Sequence, residues 1–347
     1  METIRWGFLA TGRIAHTVAH DLALLPDHRL VAVGSRRPEA AEAFAAEHAG
    51  PDGPARAHGS YEELVVDPEV DVVYIASPHA LHLEHARLAL AAGKHVLCEK
   101  PVTLNAAEAE EMVALARHHD RFLMEAMWTA CHPVVREVRD RLHAGEFGTP
   151  RHLRAELGFR VGPSAAQRML DPELGASALL DMGIYPLTLA HLMLGPASEV
   201  TAMADLSDRG IDLDVAVLGR HPGGATSSST ASMTSWSDRS GVITTDLGRI
   251  VLHGQMHHPT HAEFTPVGAD STNDSSDQGA VVRIEGREPV IGRGYGNELA
   301  EVGRCLREGL RESPWVPHEQ TLALMRLMDT VRAQIGVAYP VDRAAGA

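Results

Sequence analysis

The stretch from Val70 to Pro101 constrains this chain more than any other, because it reads as strand, helix and strand and ends in a charged pair followed by proline. Val72–Ala76 is a compact run of β-branched and aromatic residues, Leu81–Ala92 repeats apolar residues at helical spacing, and Val96–Cys98 is apolar again. Strands joined through such a helix are parallel, since a parallel pair needs a long crossover where an antiparallel pair needs only a turn. An open α/β sheet places its ligands at the carboxyl ends of its strands. Here those ends carry Ser77, Pro78 and His79 on one strand and Glu99, Lys100 and Pro101 on the other.

A chain of 347 residues exceeds what one small core holds and predicts two domains. Its 46 acids against 31 Lys plus Arg give a formal charge of −15, which argues against a general nucleic-acid or membrane surface but leaves room for a pocket that holds one phosphate. The cysteines Cys98, Cys131 and Cys305 show no short metal-ligand spacing, and so sparse and odd a set points to a reducing compartment. The opening METIRWGFLATGRIA lacks the basic region and apolar core of a signal peptide, and no stretch approaches about 18 continuous apolar residues. A soluble, cytoplasmic protein is the expectation.

Ile4–Leu9 reads as a buried strand, followed by the turn Ala10, Thr11, Gly12, Arg13, Ile14 and an apolar-periodic helix to Leu25. In that context Gly12 lets the backbone approach a pyrophosphate, and amides at the helix start face its charge. Leu30–Val33 is the second strand and runs into Ser35, Arg36 and Arg37 before a helix that starts near Pro38. An NAD-selective site would place an acid there for the ribose 2′-hydroxyl, whereas a hydroxyl and two guanidiniums suit a 2′-phosphate. Ala55–His58 is a short strand, Tyr61–Val66 and Asn105–His119 are helices, Phe122–Met124 is a strand and Pro133–Leu142 opens a bridging helix.

From Arg151 the character changes. Strands are expected at His152–Phe159, Val200–Leu206, Leu213–Leu218, Thr226–Ser235, Gly241–Thr245, Arg249–Leu252 and Glu263–Val267, with helices at Ala178–Leu194, Asn297–Leu310 and His318–Gln334 and a loop at Gly268–Gly279. So many successive strands make a large, mainly antiparallel open sheet. The fold class is α/β: a Rossmann-like dinucleotide-binding domain over residues 1–128, then an α+β domain over 129–347 that includes the bridging helix and carries the large open sheet.

Asp181 and Tyr185 stand four apart in an otherwise apolar helix and so share a face, where polar groups need partners. Trp128 can offer an apolar wall or a stacking face to a ring. Lys100, at a carboxyl strand end between Glu99 and Pro101, is placed to hold an ammonium beside a developing alkoxide. The densest histidine set, His253, His257, His258 and His261, spans a strand and a proline turn without cysteine, so no metal is expected there.

These segments together carry a resemblance. GFLATGRIA at Gly7–Ala15, AGKHVLCEKP at Ala92–Pro101, FLMEAMW at Phe122–Trp128 and GASALLDMGIYPL at Gly175–Leu187 resemble the glucose-fructose oxidoreductase, inositol dehydrogenase and rhizopine-catabolism superfamily. The likeness is greatest to its dihydrodiol dehydrogenase and xylose dehydrogenase branch, and it extends to VRAQIGVAYP at Val331–Pro340. Three departures stand out: Ala10 for a frequent glycine, Ala176-Ser177 for paired glycines, and Tyr185 where inositol-dehydrogenase-like relatives use histidine.

The resemblance implies hydride transfer between NAD(P) and a sugar, cyclitol, dihydrodiol or related alcohol. By motif, Ala10, Thr11, Gly12, Arg13 and Ile14 surround the pyrophosphate, and Ser35, Arg36 and Arg37 the adenosine ribose. Ser77, Pro78, His79 and His82 line the cofactor, with Glu99 and Lys100 beside the nicotinamide; Pro101 follows a cis peptide in many relatives. Trp128 and Arg168 join the cofactor set. Lys100, Trp128, Asp181 and Tyr185 meet substrate, with Lys100, Asp181 and Tyr185 catalytic, and spacing does not decide whether Lys100 or Tyr185 moves the proton. The cofactor expected is NADP, with NAD possible, and the partners are a small polyol, sugar or cyclic alcohol and a second copy in a homodimer or dimer of dimers. Reduction of a nucleotide ketosugar and non-enzymatic dinucleotide sensing are the competing readings.

Overall fold

Six short parallel strands form the first sheet of the computed structural model, which describes residues 3–51, 53–162, 168–268 and 279–344. They are β1 (Ile4–Leu9), β2 (His28–Gly34), β3 (Arg56–His58), β4 (Val72–Ile75), β5 (His95–Glu99) and β6 (Leu123–Ala126), in the order β3-β2-β1-β4-β5-β6. Every residue of β4 and β6 is buried, as expected of parallel strands covered on both faces. The covering helices include α1 (Arg13–Leu22), α2 (Pro38–Glu47), α3 (Tyr61–Val65), α4 (His82–Ala91) and α5 (Ala106–His118). Chain order reverses between β1 and β4, which makes their carboxyl ends the crevice where such sheets bind ligands.

After the short helix α6 (Trp128–Cys131) and the longer α7 (Pro133–His143), eight strands build the second sheet. They are β7 (Pro150–Gly158), β8 (Glu199–Leu206), β9 (Asp212–Arg220), β10 (Thr226–Ser232), β11 (Gly241–Thr245), β12 (Gly248–Gln255), β13 (His258–Pro266) and β14 (Val282–Ile284). Their order is β14-β13-β12-β11-β7-β10-β9-β8, and every pairing is antiparallel except β7 with β10. The expected mainly antiparallel sheet is therefore present. Helix α8 (Ile184–Leu194), buried at ten of its eleven positions, packs on β7 and β10.

Several boundaries differ from expectation for local reasons. β10 stops at Ser232 because the Ser232 hydroxyl accepts from the N–H groups of Thr234 and Ser235, turning the chain away from the ladder. β13 begins at His258 and contains Pro259, where a proline turn was expected; the register shift beside Gly254 is a bulge that tolerates the missing N–H. The segment read as one helix from Ala178 opens instead as a wide π-turn over Leu179–Gly183. Pro186 lacks an N–H and its ring excludes the carbonyl four residues earlier, that of Met182, so regular α-helical bonding starts only beyond it. The three-residue β14 was not foreseen, and positions 269–278 of the expected loop lie outside the described residues.

The remaining helices are α9 (Tyr295–Arg307), α10 (His318–Ile335) and α11 (Pro340–Ala344). Contacts divide the chain into one compact unit of residues 1–131 with 290–322 and another of 132–289 with 323–347. Asp21, near the end of α1, fixes the returning segment: its buried carboxylate accepts from the N–H groups of Arg293, Tyr295 and Gly296 at 2.9–3.2 Å, capping α9.

Candidate functional site

The loop after β1 is shaped by two small residues. Ala10 takes φ 80°, a left-handed conformation that costs an L-residue about 1–2 kcal/mol, while its N–H donates to the Gly34 carbonyl at 3.0 Å. Gly12 caps α1 without a side-chain bond, and no acid lies in the first turn. A Cβ on Gly12 would meet nothing nearer than the Ala76 carbonyl at 4.0 Å, so the protein's own packing does not demand glycine there. Open space above uncapped helix amides fits a pyrophosphate. Thr11 and Ile14 are half-buried beside it and Arg13 is exposed.

At the end of β2, the buried Ser35 accepts from the Arg37 N–H at 3.2 Å, which shapes the turn that presents two exposed guanidiniums. Arg36 helps line a cavity of about 710 Å³ together with Tyr61, Glu62, Leu81, Glu84 and His85; Arg37 does not line it. Burial, then the nearby Arg36 charge, pushes the His85 imidazole down to about 4. His85 is thus neutral at neutral pH, and its Nδ1 bonds Ser77 Oγ at 2.8 Å.

The loops after β4 and β5 are tied together by His82. Its ring nitrogens lie 2.9 Å from the carbonyls of Ser77 and Pro101. Burial holds the ring at about 4, so the neutral imidazole donates to one carbonyl at a time. His82, expected to line the cofactor, is fully buried and engaged on both nitrogens, so it ties the two loops together. Ser77 and His79 are buried nearby, Pro78 precedes a short 3₁₀ turn at His79–Leu81, and the Lys100–Pro101 peptide is cis.

Glu99 anchors the end of β5. One carboxylate oxygen accepts the Tyr74 hydroxyl at 2.5 Å and the other the Lys100 N–H at 3.2 Å, so the half-buried Lys100 side chain leaves from a fixed point. A second buried acid, Glu125 of β6, accepts from Val102 N–H at 3.1 Å and Thr321 Oγ1 at 3.0 Å. Burial pushes it up to about 7, against the lowering by its Thr321 and Val102 hydrogen bonds and then the Lys100 charge. A third, Glu298 of α9, is raised well above the carboxylate range by burial and then by the charges of Glu99 and Asp21. Trp128 is buried and stacks on Tyr295, ring centroids 4.3 Å apart. Glu125, Glu298 and Tyr295 escaped the sequence reading; an acid inside the apolar FLMEAMW run was the available signal for the first.

In the other unit, Ser177 and Asp212 build the start of the signature helix. Ser177 Oγ and the Leu179 N–H donate to one Asp212 oxygen at 3.0 and 2.7 Å, and Leu180 N–H donates back to Ser177 Oγ at 3.1 Å. The serine that replaces a glycine thus serves as a cap. Burial pushes Asp212 up to about 6. Asp181 is buried, with Arg168 Nη2 3.5 Å from one of its oxygens, so these two predicted residues do meet. Tyr185 is buried and packs against the His257 ring at 4.9 Å. Sequence reasoning left His257 on a strand edge; the turn between β12 and β13 puts it beside the tyrosine.

Comparison with known proteins places the chain in a family. Residues 4–127 match the model of the oxidoreductase family with an NAD-binding Rossmann fold, and residues 135–255 match the GFO/IDH/MocA C-terminal domain. The chain is 36% identical to mouse (Mus musculus) trans-1,2-dihydrobenzene-1,2-diol dehydrogenase, covering 98% of this chain and 99% of that protein. It is 33% identical to the D-xylose 1-dehydrogenase (NADP(+)) of Hypocrea jecorina, covering 97% and 93%. Among solved structures, the Actinomadura kijaniata 3-ketoreductase KijD10 with NADP and TDP-benzene superposes with a TM-score of 0.81 at 26% identity, covering 96% and 98%.

Proposed function

The chain belongs to the GFO/IDH/MocA family of NAD(P)-binding oxidoreductases, acting as a dehydrogenase on a CH–OH group, and from that premise we propose an NADP-preferring enzyme for a small polyhydroxylated or cyclic alcohol. The observation that carries the cofactor preference is Arg36, exposed at the end of β2 and on the wall of the neighbouring cavity, with Arg37 beside it and no acid at the turn. Ser35 would hold that turn, and the amides after Gly12 the pyrophosphate. Titration of the protein with NADP and NAD tests this directly; equal affinities refute it.

A bound nicotinamide supplies or accepts the hydride. Lys100 then places a positive charge by the substrate oxygen, stabilising alkoxide character, and Glu99 keeps its backbone fixed. Tyr185 gives or takes the hydroxyl proton or holds that oxygen, and Asp181 with Arg168 organises the polar setting. Trp128, immobilised on Tyr295, limits the ring that fits. A screen of aldoses, cyclitols, dihydrodiols and nucleotide ketosugars at saturating NADP identifies the substrate. The likeness to KijD10 favours a second reading, ketosugar reduction, which turnover of a nucleotide ketosugar alone would establish. Tight NADP binding without turnover of any of them would favour a dinucleotide sensor.

A homo-oligomer through the eight-stranded sheet completes the reading. Met203 on β8 and Leu218 on β9 are 77% and 60% exposed on that sheet, apolar surface that a second copy would cover. Sedimentation as a monomer at all concentrations would remove it.

A further inference from the structure

His16, Glu47 and His48 take no part in that chemistry, yet three of their atoms converge. His16 Nδ1 lies 2.9 Å from His48 Nε2 and 3.3 Å from Glu47 Oε1, and that same Glu47 oxygen lies 3.8 Å from His48 Nε2. Tetrahedral zinc with bonds of about 2.0–2.2 Å has ligand-to-ligand edges of about 3.3–3.5 Å, so this triangle is one face of such a site to within a few tenths of an ångström. We propose that His16, Glu47 and His48 bind a divalent transition metal of the zinc type, with solvent or His20 as the fourth ligand.

Two further observations point to a cation. Glu47 and His48 lie at the carboxyl end of α2, whose last turn carries no basic residue, so the helix dipole and the carboxylate together make the spot negative. His20 lies one turn along α1 from His16, on the same face, and its ring centroid is 4.9 Å from that of His48. Two imidazoles and one carboxylate select a borderline metal rather than magnesium or calcium, which take oxygen ligands. Without metal, His16 and His48 share one N–H···N proton; metal entry moves that proton to the other nitrogen of its ring or to solvent. The bound ion clips α1 to α2 one turn beyond the dinucleotide loop, where the His16 N–H donates to the Gly12 carbonyl.

A second group, His253, His261 and Glu263, is less suited. Its two rings are stacked 4.6 Å apart and within 4° of parallel, so their nitrogens lie side by side, and each meets a different Glu263 oxygen.

The test is zinc titration of chelator-stripped, full-length protein against a chromogenic chelator, alongside thermal unfolding with and without zinc. One tight equivalent and a zinc-dependent rise in Tm are expected. Glu47→Gln, a half-exposed change with little folding risk, should weaken binding at least about 10-fold, and His16→Gln at least about 100-fold, because even outer-shell changes cost about 10–100-fold. Absence of binding, binding unchanged in both variants, or loss only in His253→Gln with His261→Gln would each overturn the proposal.

Discussion

The two sheets use the same chemical alphabet under different rules. In the parallel sheet, β4 and β6 are buried at every position, and the polar residues gather where strands end: Ser35, Ser77, Glu99 and Lys100. In the eight-stranded sheet, β9 and β10 alternate buried and open positions, so polarity is spread along the strands. A polar residue is therefore informative by position in the first unit and nearly uninformative in the second. There the suggestive groups, Asp181, Tyr185 and His257, lie on a helix start and a hairpin turn. The units differ in buried histidines too. Burial pushes His28, His82, His85 and His95 to about 4 in the first, and His132 and His191 in the second.

The largest expected effect is on chemistry and asks whether both units supply a catalytic group. Tyr185→Phe removes only a hydroxyl and should slow single-turnover hydride transfer about 100-fold or more if tyrosine is the proton donor. Lys100→Met should lower that rate far more than NADP affinity. A larger loss at Lys100 than at Tyr185 assigns the proton to lysine, and an unchanged rate in both variants refutes the assigned site.

Next comes the cofactor, which the first unit alone should govern. Arg36→Ala should weaken NADP about 10- to 100-fold, the loss of one charge-assisted phosphate contact of about 1.5–3 kcal/mol, and leave NAD nearly unchanged. Equilibrium titration with both nucleotides measures the contrast; a parallel loss for both would mean that Arg36 does not read the 2′-phosphate.

Acid should separate the units as well. A histidine whose folded value is depressed to about 4 from an ordinary 6.5 leaves more protons bound in the unfolded chain, so its stabilisation is full above 6.5 and is lost as pH falls towards 4. For His28 the cause is burial, against the nearby Asp27 charge, and the geometry suits the neutral ring: Nδ1 accepts the buried Trp6 indole N–H at 3.0 Å. Between pH 7.5 and 5.5 each such ring should cost about 1 kcal/mol. With four rings against two, hydrogen exchange at β1 and β4 should accelerate more than at β9 and β10 by about 2 kcal/mol in protection; equal acceleration would erase the distinction.

The smallest expected effect lies in the dinucleotide loop. Ala10→Gly relieves the left-handed φ of 80° and should stabilise the first unit by about 1 kcal/mol, read as a Tm rise of about 2–4 °C. A fall in Tm would mean that the methyl group's packing outweighs the strain.

Periodicity and strand-end chemistry made the first unit readable. The run through Lys100, the Gly12 turn and the Ser35-Arg36-Arg37 turn sit in the chain where the parallel sheet places them, because crossover connections tie sequence order to spatial order. The large antiparallel sheet was legible as a class, but its edges were not: a serine hydroxyl ended β10, a bulge admitted Pro259 into β13, and Pro186 widened the helix start. Each is a contest between a local side-chain bond or a missing donor and the regular ladder, and composition does not name the winner.

By itself, then, the sequence determined the α/β class, the dinucleotide loop and the charged strand ends, since these follow from local pattern and short-range geometry. Only the tertiary structure decided that Val290–Leu322 returns to cap the first unit through Asp21, that Glu125 and Glu298 are buried near Glu99, and that His257 packs on Tyr185. Those outcomes join residues far apart in the chain, and burial rather than residue type sets their protonation, so no local window of sequence contains them.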